Sequence, residues 1–543
     1  MNTNLIGYIL KSVYRDELGS QIRKSKLLTT RQLYLRRKLA DNMAVPTIPQ
    51  FFEGKHIFIT GATGFMGKVL VEKLLRSCSD LDTVYVLVRG KKGKSAEQRW
   101  EDVCQLQCFD RLKEELPGQL ESKVKVLDGD VKEAKLGLSE TNYALLVDKM
   151  DIMFHVAASV RFDDPLDEAV KMNTRGTQYA VELATQAKNL LVFLHVSTTY
   201  CYCNLRGETE EIIYPMDVEW RDVVKISENV DPISLKILSQ HFTNFAPNTY
   251  VYSKALAEQI VDEYKDRIPA VIVRPSIVIS SWKEPMPGWI DNFNGPIGMI
   301  IAIGKGVMRV SLCGPDNVPD YMAVDVAIKG MIVAAYKKGI SKDTRTLGEI
   351  DVYNSSSTSK SSISNRTLIE LSQIIHKESP INEIIWLPSY EVTQSFGVYR
   401  LRAFFSHFLL ALVADSVFRI FRMPPMLLKI HIKIHNAMMA IGYFTTKEWT
   451  FNNEKFLALN NIVDPADKES FDFSFDGLAP IDYFRIAALG ARKYLLKEDP
   501  SSIPAAKKKA ERLQLFSWIM KWSFYAGVAY YVYGYISSHA LFS

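Results

Sequence analysis

Cysteine is scarce in this sequence, and its scarcity excludes several classes of protein. Six cysteines occur among 543 residues, and none belongs to a CxxC pair, so we expect neither a disulfide scaffold nor a zinc ribbon or thioredoxin-type site. Glycine (28) and proline (22) are not enriched, which excludes collagen-like and low-complexity chains. The remaining composition, 47% hydrophobic and 23% charged, is that of a folded chain too long for one compact core.

An excess of one charge is also lacking outside the N-terminus. The net charge is +5, and residues 1–50 hold nine Lys and Arg against three Asp and Glu, a local +6. The rest of the chain therefore sums to −1, which argues against nucleic-acid binding. We interpret 1–50 as a basic, solvated N-terminal extension; Asp16 and Glu17 count against the alternative, a mitochondrial presequence.

Short apolar runs alternate with amphipathic stretches over more than 200 residues. Each run has the length and composition of a buried strand; the six lie at 56–60, 83–88, 124–127, 151–156, 190–196 and 270–273. Stretches 68–76 and 166–187 have helical periodicity. This alternation is typical of a parallel sheet covered by helices on both faces. We therefore predict an α/β fold with a doubly wound, Rossmann-type sheet within 51–350.

Three stretches lack a regular pattern. Residues 204–248 form an irregular insertion. We predict loops over 281–318, which are rich in Gly, Pro and Trp, and a surface loop over 355–364 (SSSTSKSSIS). Beyond about 390 the texture becomes mostly helical, which predicts a helical C-terminal domain over 385–497.

Two apolar segments in the C-terminal part raise the question of a membrane. Residues 403–421 include His407, Asp415 and Arg419. These polar groups favour a buried helix, or one lying in the membrane interface, over a span.

The second apolar segment, 513–536, is a stronger candidate for a span. It contains one charged residue, Lys521, is rich in Trp and Tyr, and follows a basic cluster at 507–512. We predict a transmembrane helix here, with the preceding body on the cytosolic side. The alternative is a C-terminal helix packed on the body of the protein.

A glycine-rich turn follows the first predicted strand. Gly61, Gly64 and Gly67 have the spacing GxxGxxG between that strand and the first helix. Strand, glycines and helix in this order predict a site where a dinucleotide pyrophosphate lies against a helix N-terminus. The predicted contacts in this turn are Thr60, Gly61, Thr63, Gly64, Phe65, Met66 and Gly67.

The end of the second predicted strand indicates which dinucleotide is bound. Arg89 lies there, and this position normally faces the adenosine ribose, where Asp or Glu binds a 2′-hydroxyl and Arg suits a 2′-phosphate. We therefore predict NADPH rather than NADH; the alternative is an ordinary surface cluster of Arg89 with Lys91 and Lys92. Asp130, after the third strand, is expected at the adenine edge. The other predicted cofactor contacts at strand ends are Val131, Ala157 and Pro275.

A tyrosine and a lysine lie four residues apart between the fifth and sixth predicted strands. Tyr250 and Lys254 therefore share one helix face, whereas Tyr252 points elsewhere. A nearby ammonium favours the phenolate and is expected to lower the tyrosine pKa from its usual value of about 10. The same lysine can hold the nicotinamide ribose. A hydroxyl at the end of the fifth strand, Thr198 or Thr199, can share the substrate oxygen.

Together these motifs resemble the extended short-chain dehydrogenase/reductase superfamily. Longer blocks narrow the resemblance to fatty acyl-CoA reductases, closely over about 47–350 and more loosely over 390–497. The similar blocks are KHIFITGATGFMGKVLVEKLLRS, YVLVRGKKG, HVSTTY, NTYVYSKALAE and VRPSIVISSWKEPMPGWIDNFNGPIGMIIAIGKGVMR. His407 and Asp415 match a family pattern, HxxPAxxxD, with Leu410 in place of Pro. Lys329 stands where the family usually has Asn.

The resemblance implies reduction of a long-chain or very-long-chain fatty acyl-CoA to a primary alcohol, through an aldehyde, with two NADPH. Thr198, Tyr250 and Lys254 are the implied catalytic residues, and no metal or cysteine nucleophile is needed. His431 and His435 are expected to be interface or surface residues. The expected partners are fatty acyl-CoA and membrane lipid. The expected location is the endoplasmic reticulum membrane with a cytosolic catalytic domain, or else the peroxisomal membrane.

Two alternatives stay open at the level of sequence. One is a reductase or epimerase acting on another substrate class, such as a sugar epimerase or a hydroxysteroid dehydrogenase. The GWIDN block and the apolar C-terminal half disfavour it. The other is a non-catalytic membrane or scaffold protein that kept the fold, which the intact Tyr250, Lys254 and three glycines disfavour.

Overall fold

A parallel β-sheet organises the chain. A computed structural model describes residues 45–205, 207–243, 246–341, 347–357 and 363–540. Its strands are β1 (His56–Thr60), β2 (Thr83–Val88), β3 (Val124–Asp128), β4 (Ile152–His155), β5 (Val192–Val196), β6 (Glu208–Thr209), β7 (Ala270–Pro275), β8 (Ile277–Ile279), β9 (Val310–Leu312), β10 (Tyr321–Ala323), β11 (Asp351–Ser355), β12 (Glu391–Thr393) and β13 (Thr450–Phe451). Seven of these form the main sheet in the order β11-β7-β5-β4-β1-β2-β3, and every neighbouring pair is parallel. The order reverses between β1 and β4, which opens a crevice at the carboxyl edge of the sheet.

The helices are α1 (Ile48–Phe52), α2 (Phe65–Ser77), α3 (Ala96–Cys104), α4 (Asp110–Glu115), α5 (Gln119–Lys123), α6 (Glu140–Lys149), α7 (Leu166–Ala169), α8 (Gly176–Gln186), α9 (Trp220–Asn229), α10 (Pro232–Phe242), α11 (Thr249–Glu263), α12 (Gly295–Gly304), α13 (Val324–Ile340), α14 (Asn365–Glu378), α15 (Phe396–Ala403), α16 (Leu410–Ile420), α17 (Leu427–Thr445), α18 (Glu454–Ala458), α19 (Lys468–Phe471), α20 (Pro480–Gly490) and α21 (Ile503–Ala540). Six-residue π turns at Val170–Arg175 and Phe404–Leu409 join α7 to α8 and α15 to α16.

Both faces of the sheet are covered, as predicted. Alternate strand residues point to opposite faces: Ile57 and Ile59 belong to the core beneath α2 and α13, and Phe58 belongs to the core beneath α6, α8 and α11. This arrangement confirms the predicted α/β, doubly wound fold. The six predicted strands are present, each within two residues of its predicted limits.

The seventh strand of the sheet, β11, was not predicted. Its sequence, DVYNS, ends in two polar residues and does not have the apolar pattern of the other strands. Asn354 and Ser355 are buried at the sheet edge beside β7, where they lie in register with Arg274 and Pro275. Residues 355–357 are buried, so the prediction of a surface loop is wrong for this part of 355–364. Residues 358–362 lie outside the described part of the chain.

Other predicted boundaries also need correction. The segment 281–318 contains helix α12 and strand β9, and the irregular insertion 204–248 contains helices α9 and α10. Helix α12 was not recognised from the sequence because Gly295 and Pro296, residues typical of loops, form its N-terminus. The helix predicted over 166–187 is interrupted by the π turn Val170–Arg175.

The mostly helical C-terminal region packs on the sheet. Buried Glu211 accepts hydrogen bonds from the backbone N–H groups of Asn354, Lys455 and Phe456, at 3.0, 2.5 and 3.0 Å. Strand β13 pairs in parallel with β6. Because Phe456 and residues of α20 share a core with β1, the position of the 443–456 segment is fixed relative to the sheet.

The two apolar segments form helices with different surroundings. Helix α21 includes 513–536, and its described side chains from Gln514 onwards are all exposed. Among the described helices, the one long and apolar enough to cross a membrane is Phe396–Ile420, which has a mean hydropathy of 1.6 over its most apolar window. Helix α21 is rich in tyrosine and tryptophan, and it does not meet the same criterion of length and mean hydropathy. The transmembrane prediction for 513–536 therefore stays a prediction.

Candidate active site

The glycine turn after β1 is shaped by close backbone contacts. Gly61 has φ +78°, and a Cβ placed on it would lie 2.7 Å from the backbone nitrogen of Ala157, after β4. A Cβ on Gly67 would collide with the Gly61 carbonyl oxygen. Gly64 directly precedes α2. Only residues without a side chain fit at 61 and 67, so the turn fits a dinucleotide whose pyrophosphate lies at the N-terminus of α2.

Thr60 joins the two strands that border the crevice. Its Oγ1 lies 2.8 Å from Nδ1 of His155 and accepts a hydrogen bond from the Ala157 N–H at 3.3 Å. The Thr60 side chain is completely buried. Thr60 was predicted as a cofactor contact. Its side chain points inward instead, and it positions the backbone of β1 and β4.

The other predicted residues of the turn lie at its surface or against a later loop. Thr63 is partly exposed and Gly64 exposed, and Met66 packs at the margin of the core. The Phe65 ring stacks on Trp289, with ring centres 5.4 Å apart. One turn further along α2, Lys68 forms an ion pair with Asp291. The GWIDN block (288–292) thus covers the first turns of α2, the helix that follows the glycine turn.

Arg89 and Asp130, which were predicted separately, lie next to each other at the ends of β2 and β3. Arg89 donates a hydrogen bond from Nη1 to Oδ2 of Asp130 at 3.0 Å, and the arginine side chain remains 40% exposed. Arg99, which the sequence analysis missed, donates to the carbonyl of Arg89. Val131 is buried beneath this pair. Two guanidinium groups and a carboxylate therefore meet where an adenosine ribose would lie.

Tyr250 and Thr198 meet at the end of β5. The Thr198 side chain lies beside the Tyr250 phenol, and burial of the phenol raises the pKa of Tyr250. Thr198 accepts a hydrogen bond from the Tyr200 N–H at 3.3 Å. Of the two candidate threonines, Thr198 is the one whose side chain interacts with Tyr250.

Lys254 shares the helix face of Tyr250 but has different neighbours. Its ammonium donates to the Val196 carbonyl at 2.5 Å and lies 3.3 Å from Nε2 of His195. Burial lowers the pKa of Lys254 to about 8. The expected lowering of the Tyr250 pKa is therefore wrong for this arrangement, because burial raises that pKa and the Lys254 ammonium is bound to Val196 instead. Tyr252, as predicted, points away from this face and is buried in the core under the sheet.

An asparagine in the π turn supports this helix and was missed. Asn173 donates from Nδ2 to Oγ of Ser253 at 3.0 Å and accepts from the Ser159 N–H at 2.8 Å. Thr174 donates to the Ser253 carbonyl at 3.0 Å. Because π turns widen a helix locally, two successive side chains reach the same helix α11. No local signal marked Asn173, because its partners Ser159 and Ser253 lie 14 and 80 positions away.

A buried ion pair lies one turn beyond Lys254. Arg274, in the strand β7 that Pro275 ends, binds both carboxylate oxygens of Glu258 at 2.8 and 2.6 Å. The Tyr202 hydroxyl donates to the same carboxylate at 3.1 Å. Cys201 donates to Glu258 at 3.2 Å, and burial together with Glu258 raises the pKa of its thiol to about 12. Cys201 is thus a hydrogen-bonding group, not an apolar filler, and it is not a nucleophile.

Aromatic side chains from the C-terminal region pack on Phe162, the ring that stacks on Tyr250. Phe162 stacks on Tyr250 with ring centres 5.7 Å apart, and Phe444 lies 5.4 Å from both Phe162 and Tyr200. Trp449 packs 5.6 Å from Phe444 and donates from its indole to the Cys203 carbonyl at 2.9 Å. We call Phe162, Tyr200, Tyr443, Phe444, Trp449 and Phe451 the aromatic cluster. It forms an apolar wall beside the candidate catalytic tyrosine.

No group of three or more His, Cys, Asp or Glu residues in the described ranges is placed to hold a metal ion. His431 stacks on His407 with ring centres 5.0 Å apart, and His435 stacks on Tyr399 at 5.6 Å. Both predicted histidines therefore lie at the interface between α17 and the α15–α16 segment.

The fold and site define a nicotinamide-dinucleotide-binding protein with a tyrosine–lysine site of the reductase type. The sequence matches the family described as "Male sterility protein" over residues 59–331, in its NAD-binding part, and over 406–498 in its "Sterile" part. It is 38% identical to fatty acyl-CoA reductase 1 of Homo sapiens over 86% of this chain and 90% of that protein. It is 33% identical to the fatty acyl-CoA reductase wat of Drosophila melanogaster over 89% and 92%. The chain belongs to the fatty acyl-CoA reductase family.

A solved structure supports the fold. The reductase domain of a nonribosomal peptide synthetase from Mycobacterium tuberculosis superimposes with a TM-score of 0.56 over 84% of this chain and 95% of that domain, at 17% identity.

Proposed function

We propose that this protein reduces a long-chain or very-long-chain fatty acyl-CoA to a primary alcohol, through an aldehyde, with NADPH. The observation that carries the proposal is the placement of Tyr250 beside Thr198 at the carboxyl edge of a dinucleotide-binding sheet, next to the aromatic cluster. Membership in the fatty acyl-CoA reductase family supports the substrate class.

The hydroxyl pair can serve both stages of this reaction. The nicotinamide supplies the hydride when it is bound. In the first stage the Tyr250 and Thr198 hydroxyls stabilise the oxyanion that develops on the thioester oxygen. Collapse of the resulting hemithioacetal breaks the C–S bond and releases CoA thiol and aldehyde. In the second stage Tyr250 donates a proton to the aldehyde oxygen. A tyrosine whose pKa lies above neutral pH carries its proton there, as a proton donor must.

Lys254 and the glycine turn would hold the cofactor. The Lys254 ammonium lies at the end of β5, within reach of a ribose placed over the crevice, and Gly61, Gly64 and Gly67 leave room for the pyrophosphate. The cations Arg89 and Arg99 favour a 2′-phosphate over a 2′-hydroxyl. We therefore propose NADPH as the cofactor.

Product analysis tests the reaction and separates the alternatives. Purified full-length protein is incubated with NADPH and either palmitoyl-CoA or a UDP-sugar, and the products are identified by mass spectrometry. The proposal predicts hexadecanol from palmitoyl-CoA and an unchanged UDP-sugar. Turnover of the sugar alone would indicate an epimerase, and turnover of neither substrate would indicate a non-catalytic protein.

We propose further that 513–536 crosses the endoplasmic reticulum membrane and leaves the catalytic body in the cytosol. The basic residues that precede this segment favour the cytosolic side, and cytosolic NADPH could then reach the site. Protease protection in isolated membranes tests the orientation: an N-terminal tag is digested and a C-terminal tag is protected. Enrichment of the protein with peroxisomal membranes would assign the alternative location.

A further inference from the structure

The continuous helical segment α15–α16 (Phe396–Ile420) has an unusual distribution of apolar residues. Its inner stripe, at a spacing of four residues, packs on the protein and consists of Tyr399, Ala403, His407, Ala411 and Asp415. A surface helix of a soluble protein would present polar residues on the opposite side. Here the outer side is apolar as well, and only 22% of the most apolar window is buried.

The exposed apolar side chains form one continuous surface, which we call the outer face. It extends past the end of α16 into the turn before α17. Its members are Leu401, Phe404, Phe405, Leu409, Leu412, Val413, Val417, Ile420, Phe421, Met423 and Met426, each at least 39% exposed. An apolar patch of this extent on a soluble surface marks an interaction site.

The inner stripe fixes the orientation of this segment on the protein. His407 accepts a hydrogen bond from the Arg309 N–H at 2.9 Å, and Asp415 accepts from the N–H groups of Leu427 and Leu428 at 3.0 and 2.9 Å. These contacts hold the helix lengthwise against its neighbours. A span across a bilayer would require all of them to break, so the segment can meet a membrane only with its outer face.

The charges around the outer face are almost all positive. Between residues 396 and 436 the sequence contains one acidic residue, Asp415, whose carboxylate is buried against the N-terminus of α17. The exposed cations of the same stretch are Arg400, Arg402, Arg419, Arg422, Lys429 and Lys433. Of these, Arg402 is paired with Glu391, just before the stretch, at 2.9 Å. An apolar face bordered by basic residues is complementary to a membrane surface that contains anionic lipid.

The outer face also lies close to the base of the C-terminal helix. Helix α12 contacts α15 on one side, where Met299, Ala302 and Ile303 pack near Tyr399 and Ala403. On its other side, Ile300 and Gly304 line a cavity of about 480 Å³ together with Lys507 and Gln514 of α21. The α15–α16 segment and α21 therefore lie on either side of α12.

We infer that the outer face lies in the interface of an anionic membrane, so that the catalytic body rests on the bilayer in addition to any anchoring by α21. This inference goes beyond the proposed reaction and does not depend on the span at 513–536. The acyl chain of a substrate would then leave the bilayer close to α17, the helix that carries Tyr443 and Phe444 of the aromatic cluster.

Lipid quenching of single-site labels in the full-length chain tests the inference. Five of the native cysteines are buried and Cys104 is partly buried, so an exposed new cysteine can be labelled selectively, with the unsubstituted chain as the blank. A fluorophore is placed on Leu412→Cys in the outer face, on Tyr530→Cys in α21, and on Asp222→Cys in α9 as the control. The proteins are reconstituted in phosphatidylcholine–phosphatidylserine vesicles that contain a lipid with a nitroxide on its acyl chain.

We expect quenching of the label at 412, none at 222, and weaker quenching at 412 when Arg419→Glu and Arg422→Glu are added. Equal signals at 412 and 222 would overturn the inference, whatever the label at 530 shows. Quenching at 530 reports separately on the proposed span. In a separate unlabelled sample treated with a thiol oxidant, a disulfide between two chains through Leu412→Cys, together with no lipid quenching of the labelled protein, would assign the outer face to a second copy of the protein instead.

Discussion

At the scale of single residues, Tyr250 is the proton donor of the proposed reaction. Its phenol lies beside Thr198 and, with a pKa raised by burial, is protonated at neutral pH. Tyr252, two positions along the same helix, has a buried ring in the core under the sheet. The two tyrosines therefore form a matched pair for mutagenesis, since Tyr→Phe removes one oxygen atom from each.

We expect Tyr250→Phe to lower alcohol formation at least roughly 100-fold, because it removes the proton donor and one of the two oxyanion contacts. NADPH affinity, measured by fluorescence titration, should stay close to that of the unsubstituted protein. Tyr252→Phe should retain most of the activity. An essential Tyr252 with a dispensable Tyr250 would contradict the assignment of the helix face.

Arg89 tests the choice of cofactor. Arg89→Asp places a carboxylate beside Asp130 and removes a charge-assisted contact to a 2′-phosphate, a loss of roughly 1.5–3 kcal/mol or about 10- to 150-fold in affinity. We expect this loss in the NADPH dissociation constant and a much smaller change for NADH. Arg366→Asp, an exposed arginine paired with Asp316, is the control. Equal losses for both cofactors would contradict a role in 2′-phosphate recognition.

The residues that could be predicted were those whose chemistry depends on local spacing. The glycines, Tyr250 and Lys254 lie at fixed intervals along the chain, and each interval has one structural meaning. Arg274 and Phe444 could not be found in this way, because their partners, Glu258 and Phe162, are distant in sequence. The predicted direction of the Tyr250 pKa shift was wrong for the same reason, since burial in the folded structure, and not the nearby lysine, sets it.

At the scale of elements, a buried charge cluster joins the loop between β8 and α12 to two helices. Glu284 pairs with Lys73 of α2 at 2.7 Å and with Lys329 of α13 at 3.6 Å, and Arg76 lies 3.3 Å away. Lys329, which stands where the family usually has Asn, thus has a partner in this chain. Burial alone would raise the pKa of Glu284, but these cations lower it to about 2.

This cluster predicts a dependence of stability on pH. Lowering the Glu284 pKa from 4.5 to about 2 corresponds to about 3 kcal/mol of folding free energy. Because the folded carboxyl binds its proton more weakly than the unfolded one, this stability is present above about pH 4.5 and is lost as the pH falls towards 2. Glu284→Gln should therefore lower the melting temperature at pH 7, and most of the difference should close between about pH 5 and 3.

Thermal melts of the full-length protein in detergent, followed by tryptophan fluorescence, measure this difference. Glu101→Gln changes an exposed carboxylate on α3 and is the control. A gap between Glu284→Gln and the unsubstituted protein that stays constant from pH 7 to pH 3 would show that the carboxylate does not stabilise the fold through its charge.

The aromatic cluster predicts how the C-terminal region contributes to activity. Phe444→Ala removes the ring contacts to Phe162 and Tyr200, each worth about 0.5–1.5 kcal/mol. We expect kcat/KM for palmitoyl-CoA to fall roughly 5- to 50-fold, with NADPH affinity unchanged. Phe421→Ala, assayed in detergent, is the control because its ring is 71% exposed. An unchanged kcat/KM would separate the cluster from the acyl site.

Elements with a strong period were predicted well, and irregular ones were not. Strands β1 to β5 and β7 are apolar runs of the kind that parallel sheets bury on both faces. Helix α12 was hidden by the glycine and proline at its start, and β11 by polar residues that find partners only after the sheet has formed. In each case a tertiary contact, which the local sequence does not contain, decided the structure.

At the scale of the whole molecule, the site depends on two distant parts of the chain. The sheet positions Thr198, Tyr250 and Lys254. The end of α17 and the segment after it add Phe444 and Trp449 through contacts that Glu211 helps to fix. A helical C-terminal region was predictable from its texture. Its placement beside Tyr250 was not, because it is set by hydrogen bonds and a strand pair between residues more than 200 positions apart.

The stoichiometry of the full-length protein in phospholipid vesicles tests the proposed reaction most directly. With NADPH and palmitoyl-CoA, the reaction predicts two NADPH oxidised and one CoA thiol released for each hexadecanol formed, and none of these changes beyond the background with Tyr250→Phe. Hexadecanol with any other ratio of NADPH to CoA would contradict a two-stage reduction at this site. Full activity in Tyr250→Phe would contradict the assignment of the site itself.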